Sequence, residues 1–154
     1  MDMCQLYWNE YNLIYGAYED FNGHFITLKS WSVSVALAAI IAVYSEKLGA
    51  SGRVILWVAA LAAIPFWVLD TIWKSYQSAY LDRLRTLEGF GNCKNLEGYA
   101  LGSISSWQDA HNEFGLLDWL GFAINSAFPH AFVLIVGLIL VWRFPPRAIH
   151  KDKQ

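Results

Sequence analysis

Three stretches of this chain are almost continuously apolar, each about as long as a helix needs to be to cross a hydrocarbon core. From Phe25 to Ser45 polar side chains are confined to Lys29 near the start and a few small hydroxyl residues. After a turn containing Gly49, Ser51 and Gly52, a second apolar run extends from Val54 to Ile72, and a third runs from about Leu120 to Trp142. About 20 apolar residues span a bilayer as a helix. The pattern therefore predicts three transmembrane helices, at 25–45, 54–72 and within 119–143, with Pro65 and Pro129 as kinks that neighbouring helices can satisfy.

The segments between these runs keep a helical period. Tyr7, Tyr11, Ile14, Tyr15, Tyr18 and Phe21 recur at steps of three and four and place an aromatic stripe on a helix over 4–24, with Asn9, Glu10, Asn12 and Glu19 on the remainder. Residues 1–24 read as an amphipathic helix against the membrane surface or the bundle, with Gly23 as a swivel before the first span. Beyond Ile72 the stripe continues through Trp73, Tyr76, Tyr80, Leu84 and Leu87, so the second helix should project out of the bilayer and stop at Gly89. Residues 74–118 then form an extramembrane helical extension and glycine-rich loop. The tail, 144–154, follows Arg143, Pro145 and Pro146 and is polar.

Composition agrees with an all-α integral membrane bundle. Hydrophobic residues make up 56% and charged residues 16% of 154, which is too apolar for a small water-soluble fold. The mean hydropathy is +0.30. Eight Trp, eight Tyr and nine Phe supply rings of the kind that collect at membrane interfaces, among them Trp119 and Trp142 at the ends of the third run. A net charge of -2 offers no basic surface for nucleic acid. The first residues lack the positive flank of a cleavable signal, so the first span is expected to direct insertion.

Lys47, Arg53, Arg143, Arg147, Lys151 and Lys153 would share one side of a three-span protein. The opposite side carries Lys29, Lys74, Arg83, Arg85 and Lys94 over longer segments. The positive-inside rule then puts the C-terminus in the cytoplasm. Cys4 and Cys93 fall on the same side in any such model; a disulfide is chemically permitted there, and two unpaired thiols are an equally open reading.

Ionisable residues at membrane depth are costly unless paired. Reflecting the hairpin about its turn brings Lys29 level with Asp70 and Glu46 level with Arg53, which predicts two interhelical ion pairs, with Lys74 competing for Asp70. Ser34, Ala38 and Ala42 on the first helix, and Ala59 and Ala63 on the second, stand four apart and predict close packing faces. His130 follows Pro129 inside the third run and shares a face with Ser126, Leu134 and Gly137. Ser126, His130 and Gly137 are the candidates for lining or gating a pore, against the plainer reading that the imidazole satisfies a carbonyl freed by the proline.

Weaker patterns carry less. Asp109, His111 and Glu113 have metal-capable side chains, but their alternate spacing without a second cluster falls short of a metal site. Arg143 and His150 match the spacing of a helical ribonuclease motif that Pro145 and Pro146 would break. No serine elbow, phosphate-binding glycine loop or catalytic carboxylate pair is visible, and neither an enzyme nor a cofactor is expected.

The order of parts over residues 4–88 resembles the SLATT-like membrane effectors of bacterial conflict systems. An N-terminal helix, a tight membrane hairpin and a helical continuation, Tyr80-Leu-Asp-Arg-Leu-Arg-Thr-Leu-Glu88, carry the likeness. It implies a self-associating antiviral effector that breaches the membrane, here with a third span added. The sequence thus favours a homo-oligomer that forms or gates a pore. Its alternative is an accessory subunit that docks a larger membrane partner through the N-terminal helix and the 74–118 region.

Overall fold

A computed structural model of the chain describes residues 2–45, 52–91, 93 and 96–146. Among these every regular element is α-helical: α1 (Met3–Tyr44), α2 (Gly52–Glu88), α3 (Ser103–Glu113), α4 (Leu116–Asn125) and α5 (His130–Arg143). Both long helices, α1 and α2, are long and apolar enough to cross a membrane. At 42 residues, α1 is about 63 Å long, roughly twice a bilayer core.

Two expectations are corrected here. Helix α1 passes through Gly23 without a break, so the N-terminal amphipathic segment and the first span belong to one continuous helix. The expected third span is two helices rather than one, because α4 and α5 meet at 68° across Ser126–Pro129. Proline removes a backbone donor and pushes the residue before it out of helical backbone, so Phe128–Pro129 ends one helix and starts another. Among the described residues the candidate spans number three only if the bent pair is one span. By contrast α2 runs unbroken through Pro65 and ends at Glu88, next to Gly89, as its pattern predicts.

The chain divides into two compact units. The first comprises residues 1–25 and 71–122. Its core is Tyr7 and Ile14 of α1, Leu84 and Leu87 of α2, and Tyr99 of the loop that follows. A disulfide joins Cys4 to Cys93, with the Cα atoms 5.4 Å apart. Beside that core, Trp107 of α3 packs on Tyr76 and His111, and its indole N–H donates to the Tyr76 carbonyl at 3.2 Å.

The second unit comprises residues 26–70 and 123–154, and its described part packs α1, α2 and α5 together in layers. Ala36, Ala63 and Val133 form one layer; Val43, Leu56 and Val141 form another. The positions 29, 36 and 43 on α1, and 70, 63 and 56 on α2, each advance by seven residues, the repeat that keeps a seam of knobs facing its partner helix. Between the two layers Gly137 lets α5 approach α2 closely: a Cβ built there would stand 2.6 Å from the Ala60 Cβ. The outward faces of this unit remain apolar, with Leu37, Ile41, Val54, Val58, Val68, Ile135 and Ile139 exposed.

Candidate functional site

The heptad seam of the second unit has a third layer, and it is ionic. Lys29 of α1, Asp70 of α2 and His130 of α5 meet there. The Lys29 Nζ is 3.6 Å, and the His130 Nε2 3.3 Å, from the same oxygen, Asp70 Oδ2. Asp70 and His130 are fully buried, while the Lys29 side chain keeps 34% of its surface. Such a snorkelling amine holds its stem among apolar neighbours and its head toward a polar exit.

Among the described residues of this unit, the buried polar atoms Asp70 Oδ1, His130 Nδ1 and Ser32 Oγ lack a hydrogen-bond partner. Ser32 stands one helical turn beyond Lys29 on α1. A buried carboxylate oxygen and a buried imidazole nitrogen left unsatisfied are costly, so the cluster has unused capacity to take up a proton or an ordered water. Ser126, His130 and Gly137 are all buried within the second unit. His130 faces Asp70, and its other ring nitrogen has no partner, so the expectation that it caps a proline-freed carbonyl does not describe it.

The Lys74 ammonium bonds Gln77 Oε1 at 2.8 Å and sits 5.6 Å from the Phe25 ring centre. Glu46 lies outside the described residues, and the pair expected with Arg53 goes with it. Ala59 and Ala63 are buried on α2, but Ser34 and Ala38 of α1 are exposed and Ala42 half-buried. The buried small residues of α1 are Ser32 and Ala36 instead, because the seven-residue seam and not the stripe of small side chains selects the packed face. His111 lies among Trp107, Tyr76 and Phe114, Asp109 and Glu113 are exposed, and no group of three metal-capable residues forms among the described residues. His150 lies outside them.

No protein-family model, no curated protein and no solved structure matches this chain.

Sequence reasoning missed a second buried ion pair, which belongs to the first unit. Glu10 of α1 accepts two bonds from Arg83 Nη2, at 2.9 and 3.1 Å, and one from Arg83 Nε at 3.2 Å. Tyr99 and Ser103 donate their hydroxyls to the same carboxylate at 2.8 and 2.9 Å, and the Gly102 amide donates at 3.3 Å. Burial raises the carboxyl's affinity for a proton, but the donors outweigh it and hold Glu10 below the usual carboxylate value. Burial and the same carboxylate push the Tyr99 hydroxyl up to about 12. Arg83 also donates to the Ala100 carbonyl at 2.7 Å. This carboxylate is fully engaged and fastens the 99–103 loop to α1. The pair gave no local signal in the sequence, because its partners become neighbours only when that loop docks.

Proposed function

We propose that this chain is a multi-pass membrane protein that self-associates and gates a pore, with Lys29, Asp70 and His130 as the latch. The observation that carries the reading is the convergence of three ionisable side chains from three helices inside a unit whose outer faces are apolar. Ionisable groups in that setting mark ion or proton pathways. Ser126, His130 and Gly137 pack inside one chain, which favours a gate within each subunit over a lining shared between subunits.

The latch would work by charge. With Asp70 ionised, it holds the Lys29 ammonium and the His130 ring, and so ties α1 and α5 to α2. Protonating Asp70 removes that attraction and frees both partners at once. That event weakens the polar layer of the seam.

We take α1, α2 and the α4–α5 pair as the three spans, in a bacterial inner membrane. The Cys4–Cys93 disulfide supports a first unit that faces an oxidising compartment, which leaves the C-terminus in the cytoplasm. The resemblance to membrane effectors of conflict systems points to the same class of activity.

The test is ion flux from liposomes containing the purified protein, with external pH stepped from 8 to 5. We expect leakage that rises with acidification, that is constitutive in Asp70→Asn, and that is raised at neutral pH in His130→Leu, which removes one of the two groups Asp70 holds. Flux that is absent at every pH from intact, correctly inserted protein would overturn the pore reading. A second reading, an accessory subunit, has one observation in its favour. The first unit carries a groove of about 300 Å³ lined by Leu13, Ile14, Ala17, Tyr80, Ser103, Ile104 and Trp107. That reading expects a monomer in detergent and recovery with a larger membrane protein.

A further inference from the structure

The surface of α4 divides into three sectors, and each asks for a different neighbour. On a helix of about 100° per residue, Leu116, Leu120, Ile124 and Leu117 fall within a single arc about a quarter-turn wide. All four are exposed, Leu117 by 82% and Ile124 by 72%. Asn125 and Asp118 occupy the next arc and are exposed as well. The third arc packs on protein. Trp119 meets His111 with ring centres 6.2 Å apart, Phe122 meets Phe114 at 5.0 Å, and the Ala123 carbonyl accepts the Trp67 indole N–H at 2.8 Å.

A helix sunk in hydrocarbon would not leave exposed the Asp118 carboxylate, which accepts the Gly115 amide at 2.9 Å, and the Asn125 side chain, and one surrounded by water would not expose four large aliphatic side chains in a row. The arrangement fits a helix lying in the boundary between them. Two further facts favour lipid as the occupant of the apolar arc. Exposed apolar residues continue past α4 onto α5, through Phe128, Phe132, Ile135 and Ile139. A helix set at 68° to one that crosses the bilayer lies close to the membrane plane.

We infer that α4 is an interfacial membrane anchor: the Leu116, Leu117, Leu120 and Ile124 face inserts among the upper acyl chains, and Asp118 and Asn125 stay in the headgroup water. This rests on the reading of α5 as membrane-embedded. It revises the proposed third span, since α4 would dock on the bilayer surface and not cross it. At 14 residues α5 reaches about 21 Å, so the third crossing would be α5 completed by the 126–129 turn before it and Phe144 after it, and the C-terminus keeps its proposed side.

The experiment uses the full chain in nanodiscs of phosphatidylcholine and phosphatidylglycerol. A nitroxide is placed at Leu117→Cys, Ile124→Cys, Asn125→Cys or Ile139→Cys under non-reducing conditions, where both native cysteines are occupied by their disulfide. Labels at 117 and 124 should collide with oxygen at least about threefold more than with a water-soluble nickel chelate, at a depth of roughly 5–10 Å. The label at 125 should show the reverse preference, and the label at 139 should lie deeper. Equal nickel access at 117, 124 and 125 would place α4 in water and overturn the inference. Shielding of 117 and 124 from both reagents would do the same by revealing a protein cover, such as a second copy. Nickel access at 139 would instead remove the membrane placement of α5, a distinct failure that takes the underlying reading with it.

Discussion

Removing Asp70 alone should do more damage than removing the whole cluster. Asp70→Leu leaves Lys29 and His130 facing each other without the carboxylate that holds them, and breaking a buried pair costs about 3 kcal/mol. The triple change to leucine at 29, 70 and 130 should recover most of that, read as the thermal midpoint in detergent. Asp70→Leu with a midpoint equal to the parent would show that the layer has no structural weight. Gly137 makes a second prediction at this scale, because the Ala60 methyl occupies the space its Cβ would need. Gly137→Ala should cost about 1–3 kcal/mol by overpacking, and Ala60→Gly in the same chain should restore part of it. Glu10 makes a third, in pH. Its folded-state value lies below the ordinary 4.5, so its contribution is present above that pH and is lost as pH falls through the lower, folded value. Protection factors at 99–103, corrected for the intrinsic pH dependence of exchange, should therefore fall on acidification, and Glu10→Gln should flatten the response. The sequence exposed the first of these residues and hid the others. Lys29 and Asp70 could be matched because a short turn fixes the register of a hairpin, whereas Glu10 and Arg83 belong to no such local geometry.

At the scale of elements, periodicity was a sound guide to where α1 and α2 run and where α2 stops. It was a poor guide to breaks. Gly23 lacks a side chain but keeps its backbone donor, so α1 passes through it; Pro129 lacks the donor, and the chain turns. Small residues at steps of four appeared to mark the packed face of α1, but Ser34 and Ala38 point away from it. The seam that packs is the one that places Lys29, Ala36 and Val43 opposite Asp70, Ala63 and Leu56. The disulfide acts on elements too, since it ties the first turn of α1 to the turn after α2 across 89 residues of chain. Reduction should destabilise the first unit by about 2–4 kcal/mol. The corresponding measurement is exchange over 4–14 and 96–103, with α5 amides unchanged; equal exchange before and after reduction would show that the bond constrains nothing.

For the whole molecule, sidedness and assembly are the testable properties. A reporter fused after Gln154 should read cytoplasmic, and thiol reagents should reach Cys4 and Cys93 only after reduction. A reporter signal from the extracytoplasmic side would reverse the topology. The particle in mild detergent should exceed one chain and its micelle if the gating assembly is right. By itself, the sequence determined the class of fold: a helical period along the chain, with apolar runs long enough that two of the helices that hold them could cross a bilayer. It also determined one ion pair, through hairpin symmetry. Only the tertiary structure decided that His130 joins that pair, that Glu10 is caged by a distant loop, and that α4 turns away from α5. Period and composition report which side chains share a face. Which faces meet depends on packing between segments far apart in the chain, and that information is not local.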